Sequence, residues 1–192
     1  MPQDIRIIRS ADLPATPWRN GGGLTREVAS ASDDRGLLWR LSLAEVAAEG
    51  PFSAFEGLQR ILTVTEGAGM RYHRGNRMIE APLLVPVPLD GAPPVEGRLP
   101  HGPVRNVNLS YRPDTIRAEM AVLRGPMSLT LGAEHSVLAL HAVTGEARIG
   151  DACLSAGSTA LGARAKVVLD EGACVVAVTL APVDDARGLA RP

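Results

Sequence analysis

Apolar and polar residues alternate with a period of two along most of this chain. In residues 37–44 one set of alternate positions is Leu37, Trp39, Leu41 and Leu43, and the other is Leu38, Arg40, Ser42 and Ala44. Period two places successive side chains on opposite faces of a β-strand. Shorter segments of strand character predict β-strands over residues 5–9, 24–30, 37–47, 58–65, 70–73, 78–80, 83–87, 104–111, 115–123, 128–131, 136–143, 147–149, 166–169 and 174–180.

Turn signals separate these strands at short intervals, because the chain contains 20 Gly and 15 Pro. Many short strands with frequent turns are typical of a β-sandwich or barrel, so the sequence predicts an all-β protein. The Pro- and Gly-rich residues 88–103 predict a long loop over the surface or across a barrel mouth. We expect the residues after 182 to form a frayed tail.

A faint internal repeat divides the chain. Residues 62–67 and 140–145 share a Leu-x4-Gly frame, and each segment leads into another short strand. The repeat predicts two similar β-units in one chain.

Composition excludes several function classes. The net charge of −1 over 192 residues lacks the basic excess of a nucleic-acid-binding protein. No apolar run is long enough for a membrane span, and the N-terminus shows no signal peptide, so we expect a cytoplasmic protein. Cys153 and Cys174 are the two cysteines, and we expect them to be reduced, small core residues.

The run Asn20-Gly21-Gly22-Gly23 indicates a shaped loop that leads into a strand. Asn-Gly favours a tight turn, and at least one glycine is expected to have positive φ or to lie against a ligand or strand. No Gly-Lys-Ser/Thr follows, so a phosphate-binding loop is not predicted. A β-bulge or hairpin that merely turns the chain is the alternative.

Four motifs carry a family resemblance: Pro-Trp-Arg-Asn-Gly-Gly-Gly-x-Thr-x-Glu from residue 17, Trp-Arg-Leu-Ser-x-Ala-x-Val from 39, Gly-Pro-Phe-Ser-x-Phe-x-Gly-x-x-Arg from 50, and Gly-Pro-Val-Arg-Asn-x-Asn from 102. In this order and spacing they resemble the HutD/Ves family of cupin-like proteins over about residues 14–110. The chain departs from that pattern at Asn106, where Asp is usual, and at Ser110, where Met is usual.

The resemblance implies a bicupin-like fold of two packed β-barrel or jelly-roll units. The implied division is a first unit at 1–123 that carries the motifs, a smaller second unit at 124–182 and a tail at 183–192. The family name implies a link to histidine utilisation, with pathway acids such as urocanate or N-formylglutamate as ligands.

The chain lacks the usual signatures of a metal site or a nucleophile. Its histidines, His73, His101, His135 and His141, form no His-x-His pair, so no metal and no cofactor are predicted. There is no Gly-x-Ser-x-Gly elbow, and Ser53 has no base nearby in sequence. No catalytic residue is therefore assigned.

What remains is a set of residues suited to binding a small ligand. Arginine forks match carboxylates, Ser and Asn complete the hydrogen bonds, and aromatic rings supply an apolar wall. The predicted ligand-binding residues are Trp18, Asn20, Gly22, Arg40, Ser42, Phe52, Ser53, Phe55, Arg60, Asn106 and Asn108. The alternative is an ordinary half-exposed sheet face, on which Arg40 and Arg60 pair with Glu27 or Glu45.

These residues favour a metal-free protein that binds small carboxylic acids, and the family resemblance implies a regulatory role in histidine utilisation. Two alternatives remain open: a metal-independent cupin-type isomerase, lyase or hydrolase acting on a small acid, and a protein-interaction module. The expected partner is a small-molecule acid, with a second copy of the chain in a homodimer as a further candidate.

Overall fold

A computed structural model describes residues 5–130, 136–162 and 166–183. Within these ranges the backbone forms β-strands and a short 3-10 helix at Ser10–Asp12. The strands are β1 (Arg6–Arg9), β2 (Thr16–Pro17), β3 (Gly23–Asp33), β4 (Gly36–Val46), β5 (Gly50–Phe52), β6 (Gln59–Glu66), β7 (Met70–Arg74), β8 (Arg77–Ala81), β9 (Pro86–Asp90), β10 (Val95–Arg98), β11 (Val104–Tyr111), β12 (Ile116–Arg124), β13 (Met127–Thr130), β14 (Ser136–Thr144), β15 (Glu146–Ile149), β16 (Ala152–Ser155), β17 (Ser158–Leu161), β18 (Lys166–Leu169) and β19 (Cys174–Pro182). None of the described segments is a helix long and apolar enough to cross a membrane.

The strands pair into four antiparallel sheets. Their orders are β2-β3-β4-β11-β6-β9, β5-β10-β7-β8, β1-β17-β14-β19-β12 and β13-β18-β15-β16. Strands β4 to β11 pair in the same pattern as β12 to β19: β4 with β11, β5 with β10 and β7 with β8 correspond to β12 with β19, β13 with β18 and β15 with β16. The fold therefore repeats one eight-stranded arrangement, and the prediction of an all-β, cupin-like fold is confirmed.

Alternation along the strands creates three apolar layers. One face of the six-stranded sheet packs with the first four-stranded sheet around a core that includes Leu62, Val64 and Tyr72. The opposite face of the same sheet packs against the five-stranded sheet through residues such as Leu41 and Leu109. The second unit encloses a core of its own around residues such as Leu140, Ile149 and Leu154. Strands β4, β6 and β11 of the six-stranded sheet thus have one face inside the first unit and the other between the units.

The Leu-x4-Gly repeat falls on corresponding strands, since Gly67 directly follows the end of β6 and Gly145 directly follows the end of β14. Both glycines have positive φ, at 96° and 66°. A Cβ at Gly67 would lie 2.6 Å from the Pro103 carbonyl oxygen, and one at Gly145 would lie 2.8 Å from the Ala173 Cα. The repeat therefore marks two equivalent tight turns that exclude a side chain.

The prediction of a long loop over residues 88–103 is wrong. This segment contains the end of β9 and all of β10, which pairs with both β5 and β7. Gly97 is required in β10 because a Cβ there would lie 2.3 Å from Cε2 of Phe52. The small residues of this segment leave room for the Phe52 ring of another strand, a contact that composition alone does not reveal. Strands β2, β5, β16 and β17 were also not predicted, and the expected strand at 83–87 lies at Pro86–Asp90.

The predicted division at residue 123 remains a prediction, but the sheets draw strands from both sides of it. Strand β12 pairs along its length with β19, and β1 pairs with β17 of the second unit. The predicted tail at 183–192 lies outside the described residues except for Val183.

The cysteines differ from each other. Cys174 is buried, and burial raises the pKa of its thiol. Cys153 is exposed, so the expectation that it is a core residue is wrong. Both thiols are free.

Candidate ligand-binding cavity

The register of three neighbouring strands gathers the predicted polar residues on one face. Strand β11 lies between β4 and β6, so the two arginines are separated by one strand rather than adjacent. Reading across β4, β11 and β6, the rows are Arg40–Ser110–Arg60, Ser42–Asn108–Leu62 and Ala44–Asn106–Val64. The same face continues into the apolar core at Val46 and Val104. Inside the first unit, the sheet thus has a polar upper part and an apolar base.

This polar part lines a cavity of about 720 Å³, a volume suited to a small molecule. All the predicted ligand-binding residues except Gly22 contribute to its wall. Thr25 and Glu27 of β3 were not predicted, yet they also line it. Both lie on the cavity face because Thr25 pairs with Ala44 and Glu27 with Ser42. Period two in β3 could have placed them on one face, but the pairing with β4 decided which face.

Arg60 is a buried cation that has no acidic partner among the residues the structure describes. Its side chain is 6% exposed, and its Nε and Nη2 both donate to Asn108 Oδ1 at 3.2 Å. Burial is the main cause that lowers the pKa of Arg60, and the charge of Arg40 acts in the same direction while Tyr72 opposes it. The two guanidinium groups therefore repel each other.

Arg40 is held by an aromatic ring. Its guanidinium carbon lies 5.3 Å from the Phe55 ring centre, and that of Arg60 lies 5.5 Å from the same ring. Nε of Arg40 is buried and has no hydrogen-bond partner. Within the described part of the chain, neither arginine has a carboxylate within salt-bridge distance.

The alternative in which these arginines pair with Glu27 or Glu45 is wrong. Glu45 forms ion pairs with Arg26 and, at 3.7 Å, with Arg105. Glu27 accepts a hydrogen bond from the Ser30 hydroxyl at 2.7 Å. The strand places Glu45 on the face opposite to Arg40, and so it cannot neutralise the cavity.

Aromatic residues form one wall of the cavity. Trp18 meets Phe52 edge to face with 5.1 Å between ring centres, and its indole N–H donates to Thr25 Oγ1 at 2.8 Å. The loop that carries Phe55 is anchored by backbone hydrogen bonds to Gly91, where a Cβ would lie 2.2 Å from the Phe55 carbonyl oxygen. The wall is therefore held by close backbone packing as well as by ring contacts.

The glycine run shapes the cavity rim. Gly21 has a φ of 71°, which confirms the expected positive φ in this run. A Cβ at Gly23 would lie 2.2 Å from the Glu45 carbonyl oxygen and 3.3 Å from Trp18 Cδ2. Gly22 does not line the cavity: its N–H donates to Asn20 Oδ1 at 3.0 Å and its carbonyl accepts from residues 47 and 48. Gly22 fastens the loop to the end of β4.

Several buried polar atoms on the inner surface of the first unit have no partner. They are Nδ2 and Oδ1 of Asn106, Oγ of Ser110, Nε of Arg40 and the hydroxyl of Tyr72. Tyr72 lies on β7, in the other sheet of the unit, and burial raises its pKa. Ser110 and Tyr72 were not predicted, since nothing local in the sequence places a hydroxyl beside Arg60.

The residues present do not fit a metal ion. Among the described residues, no group of three or more His, Cys, Asp and Glu side chains is placed to hold one. Glu80 pairs with Arg71 at 2.9 Å and is not paired with His73. Two guanidinium groups in the cavity would also repel a cation. The metal-free state remains a prediction, which rests on this donor set.

His141 has the structural role expected of a core histidine. Its side chain is buried, and Nδ1 lies 2.9 Å from Thr159 Oγ1. Burial lowers the pKa of His141 to about 4. It borders a second cavity of about 590 Å³ between the units, where the arginines Arg26 and Arg105 are paired with glutamates.

Known structures share this fold. The bacterial pirin YhhW from Escherichia coli, solved in complex with nickel(II), superposes with a TM-score of 0.66 over 94% of this chain and 100% of its own, at 10% identity. At that identity the similarity concerns the fold alone.

Other known proteins are similar to this chain in sequence as well as in fold. The chain is 38% identical over 132 residues to an uncharacterized 21.2 kDa protein from the hutC 3′ region of Pseudomonas putida, which covers 65% of this chain and 67% of that protein. It is 28% identical to protein Ves of Citrobacter koseri, over 84% of this chain and 78% of Ves. The structure of HutD from Pseudomonas fluorescens SBW25 matches with a TM-score of 0.81 and 29% identity, over 94% of this chain and 100% of HutD. The HutD family model matches residues 10–185, and the chain therefore belongs to the HutD family.

Proposed function

We propose that this protein binds small carboxylic acids, without a metal, in the cavity of its first unit. The observation that carries the proposal is the pair Arg40 and Arg60, two cations on one cavity wall that have no carboxylate partner in the described chain. Arg60 is 6% exposed and has a neutral amide as its hydrogen-bond partner.

An incoming carboxylate would relieve this arrangement. A buried charge is costly unless it is paired, and two like charges in one cavity add to that cost. Carboxylate oxygens accept hydrogen bonds from guanidinium forks in planar geometry. The aromatic wall of Trp18, Phe52 and Phe55 reduces contact with water, and an ion pair is stronger where water is excluded.

The family relationship supports a role in histidine utilisation. One relative lies in a hutC region and another is named HutD. We propose a regulatory role for the bound acid in the cytoplasm, with urocanate and N-formylglutamate as the first ligands to test. Such a role needs binding alone, which agrees with the lack of an assigned nucleophile.

Thermal unfolding and calorimetric titration test this proposal. Acetate, succinate, glutarate, urocanate and N-formylglutamate should be compared with succinamide and dimethyl succinate, which carry no charge. We expect at least one acid to raise the melting temperature and to bind with a stoichiometry of one, and the neutral analogues to do neither. Stabilisation by neutral analogues equal to that by acids would contradict the proposal. Consumption of a bound acid over time, followed by NMR, would replace a binding role by a catalytic one.

A further inference from the structure

Of the polar residues that line the cavity, Asn106 is the most deeply buried one whose side chain has no hydrogen-bond partner in the described part of the chain. Its side chain is 2% exposed, and both Nδ2 and Oδ1 lack a hydrogen bond. Unsatisfied buried amides are rare because an unpaired donor or acceptor loses its interaction with water without replacement. Both the donor Nδ2 and the acceptor Oδ1 therefore require a hydrogen-bond partner.

The neighbouring strands cannot supply that partner. On β11 the residues beside Asn106 are Ala44 of β4 and Val64 of β6, which have no polar side-chain atoms. The next polar residue on this face, Asn108, already accepts two hydrogen bonds from Arg60. Asn106 borders both this cavity and the second cavity between the units, and alternation along β11 places its side chain on the same face as Asn108, towards the first. We therefore expect its partner to come from the cavity of the first unit.

The chemistry of an amide specifies its complement. Nδ2 donates and Oδ1 accepts, so a group with one N–H and one C=O can satisfy both. A carboxylate can only accept and an ammonium group can only donate, and each would leave one half of Asn106 unpaired. A neutral carboxamide fits both halves.

We propose that Asn106 determines ligand specificity, and that it selects carboxylic acids which carry a neutral carboxamide-type group. The inference rests on the proposed function, because the carboxylate is placed at Arg40 and Arg60. Asn106 and Asn108 are two residues apart on one strand, which separates them by roughly 6–7 Å. A short acid of about four carbons spans this step.

Three four-carbon acids that differ at one end provide the test. Succinamate ends in a carboxamide, succinate in a second carboxylate and 4-aminobutyrate in an ammonium group. Calorimetric titration of the wild-type protein should show succinamate binding about tenfold more tightly than either of the others, the size expected for hydrogen bonds that are otherwise left unmade.

Two variants assign the preference to this side chain. Asn106→Leu, of similar volume, should bind succinamate about tenfold more weakly, with little change for succinate, and should melt no lower than wild type without ligand, because an unpaired amide is removed. Asn106→Asp should reverse the order in favour of 4-aminobutyrate. Asn76→Asp, an exposed change in the turn between β7 and β8, is the matched control and should retain the wild-type order.

The outcomes separate this inference from the proposed function. If all three acids bind wild type equally, or if Asn106→Leu retains the preference, the specificity role is overturned while acid binding stands. If Asn106→Leu unfolds or melts well below wild type, Asn106 is a structural residue and the inference is also wrong. If none of a broad acid panel binds, the proposed function fails and this inference fails with it.

Discussion

Replacement of Arg40 by Gln removes one of the two cavity charges with little change in shape. The Arg40 guanidinium lies over Phe55, and its buried Nε has no hydrogen-bond partner to lose. Gln keeps an amide donor near the same place. Because repulsion of Arg60 disappears, we expect the unliganded variant to be at least as stable as wild type.

The magnitude follows from the lost hydrogen bond. A hydrogen bond to a charged group contributes about 1.5–3 kcal/mol, so acid binding should weaken roughly ten- to a hundredfold. At an acid concentration 100 times the wild-type Kd, the ligand stabilises wild type by about 2.7 kcal/mol, or roughly 5–11 °C in Tm for a chain of this size. The variant at the same concentration stands at about one to ten times its own Kd, which gives roughly 0.4–1.4 kcal/mol and 1–6 °C.

Differential scanning fluorimetry and calorimetry with the tightest acid of the panel measure both quantities. Arg148→Gln is the matched control, since Arg148 lies in the second unit and forms an exposed ion pair with Asp170 at 3.1 Å. An exposed pair contributes about 0–1 kcal/mol, so this control should keep the full acid-induced shift.

One result would refute the reasoning. If Arg40→Gln binds acids with wild-type affinity, or loses as little acid affinity as Arg148→Gln does, then Arg40 does not contact the ligand. The carboxylate would have to be placed elsewhere in the molecule.

Three further expectations follow from the same geometry. Gly23→Ala should lower Tm and weaken acid binding because its Cβ would lie 2.2 Å from the Glu45 carbonyl oxygen. Gly22→Ala should have a smaller effect, because its Cβ would meet no backbone atom closer than 3.5 Å and Gly22 has no positive φ. Equal melting temperatures of the two variants would contradict this. Burial lowers the pKa of His141 to about 4, so the stability due to its neutral form is present above about pH 6.5 and is lost as the pH falls toward 4. In urea unfolding, wild type should lose roughly 2–3 kcal/mol more of its free energy of unfolding than His141→Gln between pH 7 and 4.5. Parallel pH dependences of the two proteins would contradict this. Elemental analysis of protein purified without chelator should find no stoichiometric transition metal, and EDTA should leave acid binding unchanged; one bound equivalent that EDTA removes together with acid binding would contradict the metal-free cavity.

Local sequence predicted the long strands well. The expected strand at 104–111 matches β11 at both ends, and β4 was predicted within one residue, because apolar alternation there reflects burial on both sheet faces. The short strands β10 and β16 were missed. Position 97 of β10 must be glycine because Phe52 leaves no room for a side chain there, and Phe52 belongs to a strand that is distant in the sequence.

The candidate site was predicted in composition but not in arrangement. Alternation placed Arg40 and Ser42 on one strand face but assigned no face to Arg60, and it could not show that β11 lies between β4 and β6 or that Asn108 binds Arg60. They also assigned Gly22 to the ligand, whereas its hydrogen bonds hold the loop.

The sequence by itself determined that this is an all-β protein with a repeated unit and an arginine- and asparagine-bearing face, because alternation and turn residues act over a few neighbouring positions. Tertiary structure alone decided that Arg40 and Arg60 share one cavity with no ion-pair partner among the described residues, and that Asn106 is buried there between Ala44 and Val64. Strand order and register bring together side chains that are 20 (Arg40 and Arg60) to 70 (Arg40 and Ser110) residues apart, and a side chain's charge balance and hydrogen bonding depend on those partners rather than on its neighbours in sequence.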